Sequence, residues 1–183
     1  MLRVTAIEDV AKAKSIVNID PYIPISFRSR SQPIGGARYI RLGDFKTQLL
    51  ELQFPAESLT LSGFTVVSGQ GSARGVLAGD GPSSSGLPVI RMPEGQVFSD
   101  ASRIQRLDIG TNFTVSCADG QADIALGAAE TFNRKVVYGR VQFLLSDDVL
   151  VGLRVVDLVD KERCTLLDYI AGHPSQGDSL RVR

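Results

Sequence analysis

Histidine occurs once in this chain of 183 residues and cysteine twice, and each scarcity removes a class of chemistry. With His173 as the sole imidazole, neither a metal site using two or more histidines nor a Ser-His-Asp triad with a spare base can be assembled. Cys117 and Cys164 are too few and too far apart for a disulfide framework, so they read as reduced thiols, which suits a cytosolic setting. Net charge is missing too: Lys plus Arg and Asp plus Glu each number 20, so no bulk field draws the chain to nucleic acid or to an anionic membrane. No run approaches the roughly 18–20 apolar residues that span a bilayer. The first nine residues also lack the basic cap and apolar run of a secretion signal. A cytoplasmic protein without a cofactor, resident metal or membrane contact is therefore expected.

Phosphate and nucleophile motifs are absent as well. Ser83-Ser84-Ser85 stands between Pro82 and Gly86 without the lysine and helix start of a phosphate loop, and it does not match the Gly-x-Ser-x-Gly elbow, so it reads as a linker. Asp147 and Asp148 with Asp157 or Asp160 lack the alternating oxygen ligands and closing Glu of a calcium loop; an acidic pair between two apolar runs is ordinary turn chemistry. Cys164 with His173 has the spacing for a dyad, but Cys164 falls in a predicted helix, where a small buried thiol is the simpler reading.

What is present describes a scaffold. A hydrophobic content of 43% over this length supports one core and a single domain across 1–183. Alternating apolar residues from Lys135 run into Ser146-Asp147-Asp148 and resume to Leu158, the pattern of a strand, a tight polar turn and a returning strand. Strands are also predicted at 2–7, 25–30, 38–42, 46–54, 59–67, 96–99, 103–109, 113–118 and 121–126. Gly43-Asp44 supplies one turn and Asp119-Gly120 a tight hairpin. Leu61 and Phe64 cannot share a face of a regular strand, which places a bulge or bend at Gly63. Leu50, Leu52, Val141, Phe143, Leu153 and Val155 are the predicted core.

Two helices are expected. Glu8-Asp9 followed by Ala-Lys content suits a short N-terminal helix over 8–16. Acidic residues followed by Leu166, Leu167 and Ile170, with Gly172 as a stop, suit a C-terminal helix over 160–170. Gly, Ser and Pro dominate 68–88, a composition that loses much backbone entropy on ordering and so predicts a mobile surface loop. The expected fold class is α+β: mainly antiparallel sheet, a meander of hairpins, with an N-terminal and a C-terminal helix.

Charge is biased locally. Residues 1–91 hold ten basic and seven acidic side chains, and 92–183 hold ten and thirteen. Arg28, Arg30, Arg38, Arg41 and Lys46, interleaved with Phe27, Tyr39 and Phe45, would grip phosphates and stack bases if they shared a face. Alternation along the strands argues against one patch, which favours an acidic protein over nucleic acid as a partner.

The hairpin segments at 48–67 (QLLELQFPAESLTLSGFTVV) and 141–153 (VQFLLSDDVLVGL) resemble those of bacterial immunity proteins from contact-dependent growth inhibition and related polymorphic toxin systems. The resemblance covers about a fifth of the chain. It implies a small cytoplasmic, non-catalytic protein that binds one cognate toxin domain, often a nuclease, and blocks its active site or substrate groove. The family is frequently acidic, whereas this chain is neutral. Asp147, Asp148, Asp157 and Asp160 are then expected to meet a basic groove, with Arg41 as a further exposed contact. A structural or assembly module is the competing expectation, and a nucleic-acid-binding module a third.

Overall fold

The computed structural model describes residues 1–10, 15–29, 36–71, 76–98 and 105–172. Two sheets face each other across one core. The smaller is built mainly from the first half of the chain: β1 (Arg3–Glu8) leaves for the other sheet, then β2 (Ile16–Asn18), β3 (Ile25–Arg28), β4 (Ala37–Leu42), β5 (Leu49–Pro55) and β6 (Gly63–Ser68) assemble with a later strand, β11 (Gln105–Ile109), in the order β11-β4-β5-β6-β3-β2. Alternation decides what faces inward. Ile25 and Phe27 on β3, Ile40 and Leu42 on β4, Leu50, Leu52 and Phe54 on β5, and Phe64 and Val66 on β6 are all buried, while the residues between them face outward.

The chain then supplies β7 (Gln70–Gly71), β8 (Ala78–Gly79), β9 (Ser83–Ser85), β10 (Leu87–Arg91), β11 (Gln105–Ile109), β12 (Phe113–Ala118), β13 (Gln121–Leu126), β14 (Thr131–Phe132), β15 (Arg134–Tyr138), β16 (Val141–Ser146) and β17 (Val149–Val155). The larger sheet runs β7-β12-β13-β17-β16-β15-β9, with β1 pairing both β17 and β10. Its hairpins are the ones that turn chemistry requires: Asp119 and Gly120 both take positive φ between β12 and β13, Gly139 does so between β15 and β16, and Asp147 between β16 and β17. The expected two-strand unit from Lys135 to Leu158 is thus three strands, because Gly139-Arg140 turns the chain once more. All six predicted core residues are buried. Phe27 joins the sheets: its ring lies 5.4 Å from Phe64 beside it, and 5.9 Å and 6.1 Å from Tyr138 and Phe143 on the opposite sheet.

Antiparallel pairing dominates, as expected, but the parallel pairs explain the Gly/Ser/Pro stretch. β7 pairs β12 at one edge of the larger sheet, β9 pairs β15 at the other, and between them β8 pairs β14. The described residues of the segment, 68–71 and 76–88, contribute β7, β8 and β9, and 76–85 lie as a strap on the outer face of that sheet rather than as a loop without packed elements. Leu77 is its fastener. Its N–H donates to Asp123 Oδ2 at 2.6 Å, and its carbonyl accepts from Arg154 Nη2 at 2.6 Å. Asp123 and Arg154 face each other in register across β13 and β17, and Arg154 returns Nε and Nη2 to the two carboxylate oxygens at 2.7 and 2.8 Å. Leu77, Phe132 and Leu144 form a small second apolar cluster under the strap, over the space that Gly152 leaves. Ser83–Ser85 is therefore an edge strand, not a linker.

The predicted N-terminal helix is corrected. Glu8 belongs to β1 and Ile16 opens β2, because Leu2, Val4, Ile7 and Val17 are needed on the core; residues 11–14 lie outside the described residues. Gln96, Val97 and Phe98 form no strand, and Ser99 lies outside the described residues. The bend at Gly63 is real: the chain leaves β10, where Leu61 N–H bonds the Pro88 carbonyl, and enters the smaller sheet at Gly63, which passes too close to the Phe27 carbonyl for a Cβ.

The C-terminal helix α1 (Asp160–Ile170) is as expected and covers the β7–β12 edge. Leu166 is buried, Tyr169 Oη donates to the Gly69 carbonyl at 2.8 Å, and Gly71 lets the backbone at Ile170 approach. Arg140 in the β15–β16 turn ties its entry down, donating to the Val156 and Asp157 carbonyls and to both oxygens of Glu162. Glu162 in turn accepts the Val159 N–H at 3.1 Å. The Arg140 hydrogen bonds lower the Glu162 pKa from the ordinary 4.5. Because the folded carboxyl is the stronger acid, its stabilisation is complete above the ordinary Glu value and is lost as pH falls through the lower folded value. Glu162→Gln should therefore lower stability by about 1 kcal/mol at neutral pH, the pair being partly exposed, and by progressively less as the medium is acidified; urea midpoints at several pH values measure this. A pH-independent difference would assign the loss to the helix cap alone.

Candidate functional site

Among the described residues no group of three His, Cys, Asp or Glu side chains is placed to hold a metal ion, and no helix is long and apolar enough to cross a membrane. The five residues expected at a partner surface are spread over the molecule. Asp147 and Asp148 cap the β16–β17 hairpin. Asp157 and Asp160 lie beyond the other end of β17, about 20 Å away for a strand of seven residues. Asp157 takes φ 56° and offers its carbonyl to Arg140; Asp160 is exposed at the start of α1. Arg41 sits on the outer face of the smaller sheet, partly buried, bonded to Asp108 on β11 and stacked 5.6 Å from the Phe45 ring.

Part of the basic cluster is already engaged. Phe27 is buried and unable to stack a base, Arg38 bonds Gln105 at 2.6 Å and lies against Phe98, and Arg41 is engaged by Asp108. Arg30 lies outside the described residues, as does His173. Cys164 is exposed on α1, not buried as its helical position suggested, because Leu166 occupies the buried face there. Cys117 is half-buried, and burial raises the pKa of its thiol.

Asp147 and Asp148 are held in different ways. Asp148 makes two bonds to Arg3 at 2.8 and 2.9 Å on a half-exposed surface. Asp147 has φ 56°, a left-handed conformation that Asp tolerates better than most residues. Asn133 locks it from both sides, donating Nδ2–H to Asp147 Oδ1 at 2.9 Å and accepting the Asp147 N–H at 2.8 Å. Asp147 is exposed, and its other carboxylate oxygen has no hydrogen bond among the described residues.

Beside Asp147 the end of the sandwich stays open. A recess of about 540 Å³ reaches the core between the sheets, floored by Leu2, Leu42, Leu126 and Leu150 and bordered by Met1, Glu130 and Asp147. Its walls come from the ends of β4 and β11 on one sheet, through Leu42 and Ile109, and of β13 and β17 on the other, through Leu126 and Val149 to Val151. The connection that walls it, Gly127-Ala128-Ala129, carries nothing large and leads into Glu130. Glu130, whose carbonyl accepts the Ala78 N–H of the strap at 3.1 Å, has no ion-pair partner among the described residues. Sequence reasoning found Asp147 but missed Glu130, Asn133 and the recess, since small residues in a connection carry no periodic signal.

No protein-family model and no curated protein matches this chain.

Proposed function

We propose that this chain is a non-catalytic protein-binding module that covers and neutralises a cognate toxin domain through the end of the sandwich carrying Asp147. The observation that carries this reading is the recess: an apolar floor left open to water, bordered by a carboxylate that Asn133 holds in place before any partner arrives. Pre-fixed polar groups around an apolar hollow reduce the ordering cost of association, which suits a surface built to bind. The hairpin at 141–153, one of the two segments similar to immunity proteins of contact-dependent growth inhibition, is the hairpin that presents Asp147. A basic substrate groove on the toxin would meet Asp147 and Glu130, with electrostatic attraction speeding encounter.

Calorimetric titration with the C-terminal domain encoded by the gene immediately upstream, carrying an inactivating substitution, tests the reading. The expected result is one-to-one binding with a Kd of about 1 nM, worth about 12 kcal/mol. Absence of binding, with self-association of the free chain, would replace it by an assembly role. Asp147→Asn with Asp148→Asn removes both charges while keeping residues that accept left-handed backbone. The association rate should fall about three- to ten-fold, with thermal unfolding nearly unchanged, because the Arg3–Asp148 pair is half-exposed. An unaltered rate would remove this hairpin tip from the interface.

A further inference from the structure

We infer that the recess receives a single anchor from the partner protein: one large apolar side chain inserted against Leu2, Leu42, Leu126 and Leu150, with an adjacent Lys or Arg of the same segment seated between Glu130 and Asp147. The inference rests on the protein-binding reading above and specifies what that surface recognises. Volume permits the first part. A hollow of about 540 Å³ falls within the ~300–1,000 Å³ of pre-formed, mostly apolar sites that bury drug-sized ligands, so it has room for one large apolar side chain together with part of its own segment. Interface energy concentrates where such a group fills a desolvated pocket.

Charge sets the second part. Of the side chains that line the recess only Glu130 and Asp147 are charged, and both are acidic. Glu130 has no ion-pair partner among the described residues, and Asp147 keeps one oxygen outside its bonds with Asn133. A carboxylate, phosphate or fatty-acid head would meet two like-charged side chains at the rim. A cationic group beside an apolar one meets both needs, and a peptide segment offers the pair at the spacing of neighbouring residues. Ser146, Thr131 and Thr111 on the walls leave hydroxyls for the backbone of such a segment.

Two capped dipeptides, acetyl-Phe-Lys-amide and acetyl-Phe-Glu-amide, test the inference on the whole chain by perturbation of backbone amide signals in nuclear magnetic resonance spectra. The lysine peptide should shift the amides of 126–131 and 149–151, and the glutamate peptide should bind about five-fold more weakly, a gap that closes in about 0.5 M salt. Glu130→Lys should invert the preference. Ala128→Trp, placed at an exposed rim position, should block both peptides without unfolding the protein. Equal shifts from both peptides, or none at these amides, overturns the anchor. Selective peptide binding without binding of the upstream toxin domain would sink the toxin reading and leave the anchor standing. Tight toxin binding undisturbed by Ala128→Trp would do the reverse.

Discussion

Asp123→Ala should lower the free energy of unfolding by about 3–5 kcal/mol, the largest electrostatic effect expected in this protein. The magnitude comes from what remains behind. Asp123 is completely buried, and its two oxygens satisfy three donors: Arg154 Nε, Arg154 Nη2 and the Leu77 N–H. Without it, the Arg154 guanidinium keeps, among the described residues, the Leu77 carbonyl and the face of the Phe132 ring, 5.2 Å away, so most of a buried charge is uncompensated. Replacing both partners separates this penalty from the worth of the pair. Asp123→Leu with Arg154→Met should recover part of the loss, leaving about 1–3 kcal/mol for the stranded Leu77 N–H and carbonyl. Urea unfolding gives both values. A loss below about 1 kcal/mol in Asp123→Ala would mean that water reaches the site and the strap is not sealed. The latch also bears on the recess: Leu77 fixes the strap, Ala78 pairs with Thr131 and bonds the Glu130 carbonyl, and Glu130 forms the rim. Faster amide exchange at Ala78 in Asp123→Ala is expected with the loss of stability.

That chain of contacts shows where sequence reasoning reached and where it stopped. Period-two alternation marked β3, β5, β16 and β17 and their inward residues, since each contributes to a core with only one side, and Asp119-Gly120 marked its hairpin because few other dipeptides accept two positive φ values. The strap was illegible because its order is not its own. Gly79, Gly81 and the serines have weak intrinsic structure, and they are ordered by β14, β15 and a salt bridge between residues 31 positions apart that no local window sees. The same composition that suggests a loop is what permits close passage: a Cβ at Gly79 or Gly81 would strike the backbone of Phe132 or Asn133. For the candidate site, Asp147 stood out as an acidic turn residue, whereas its lock by Asn133 depends on the fold bringing β14–β15 beside the hairpin tip. The N-terminal helix failed for a related reason. Acidic and alanine content favours helix only weakly, and the apolar residues on both sides of it are claimed by two sheets.

Phe27→Ala should cost about 3–5 kcal/mol, because this one ring belongs to the contact between the sheets rather than to either sheet alone. Phe27 stands opposite Phe64 in the β3–β6 register and presents its edge or face to Tyr138 and Phe143, at interplanar angles of 70° and 71°. Such T-shaped pairs add about 0.5–1.5 kcal/mol each beyond the area they bury. Phe27→Leu keeps most of the apolar volume and loses the ring geometry, so it should cost about 1–2 kcal/mol; the difference between the two variants measures the cavity. Tyr138→Phe supplies the opposite sign. The Tyr138 hydroxyl is buried with no hydrogen-bond partner among the described residues, so removing it relieves a desolvation cost and should leave stability unchanged or raise it by about 1 kcal/mol. If Phe27→Ala instead costs no more than Phe27→Leu, the sheets close over the gap. The recess would then deform as well, since it opens from the same core between the same two layers. A cost near the upper value, with the peptide preference at Glu130 and Asp147 retained, would show a packed centre that holds the open end of the sandwich in a fixed shape for its partner.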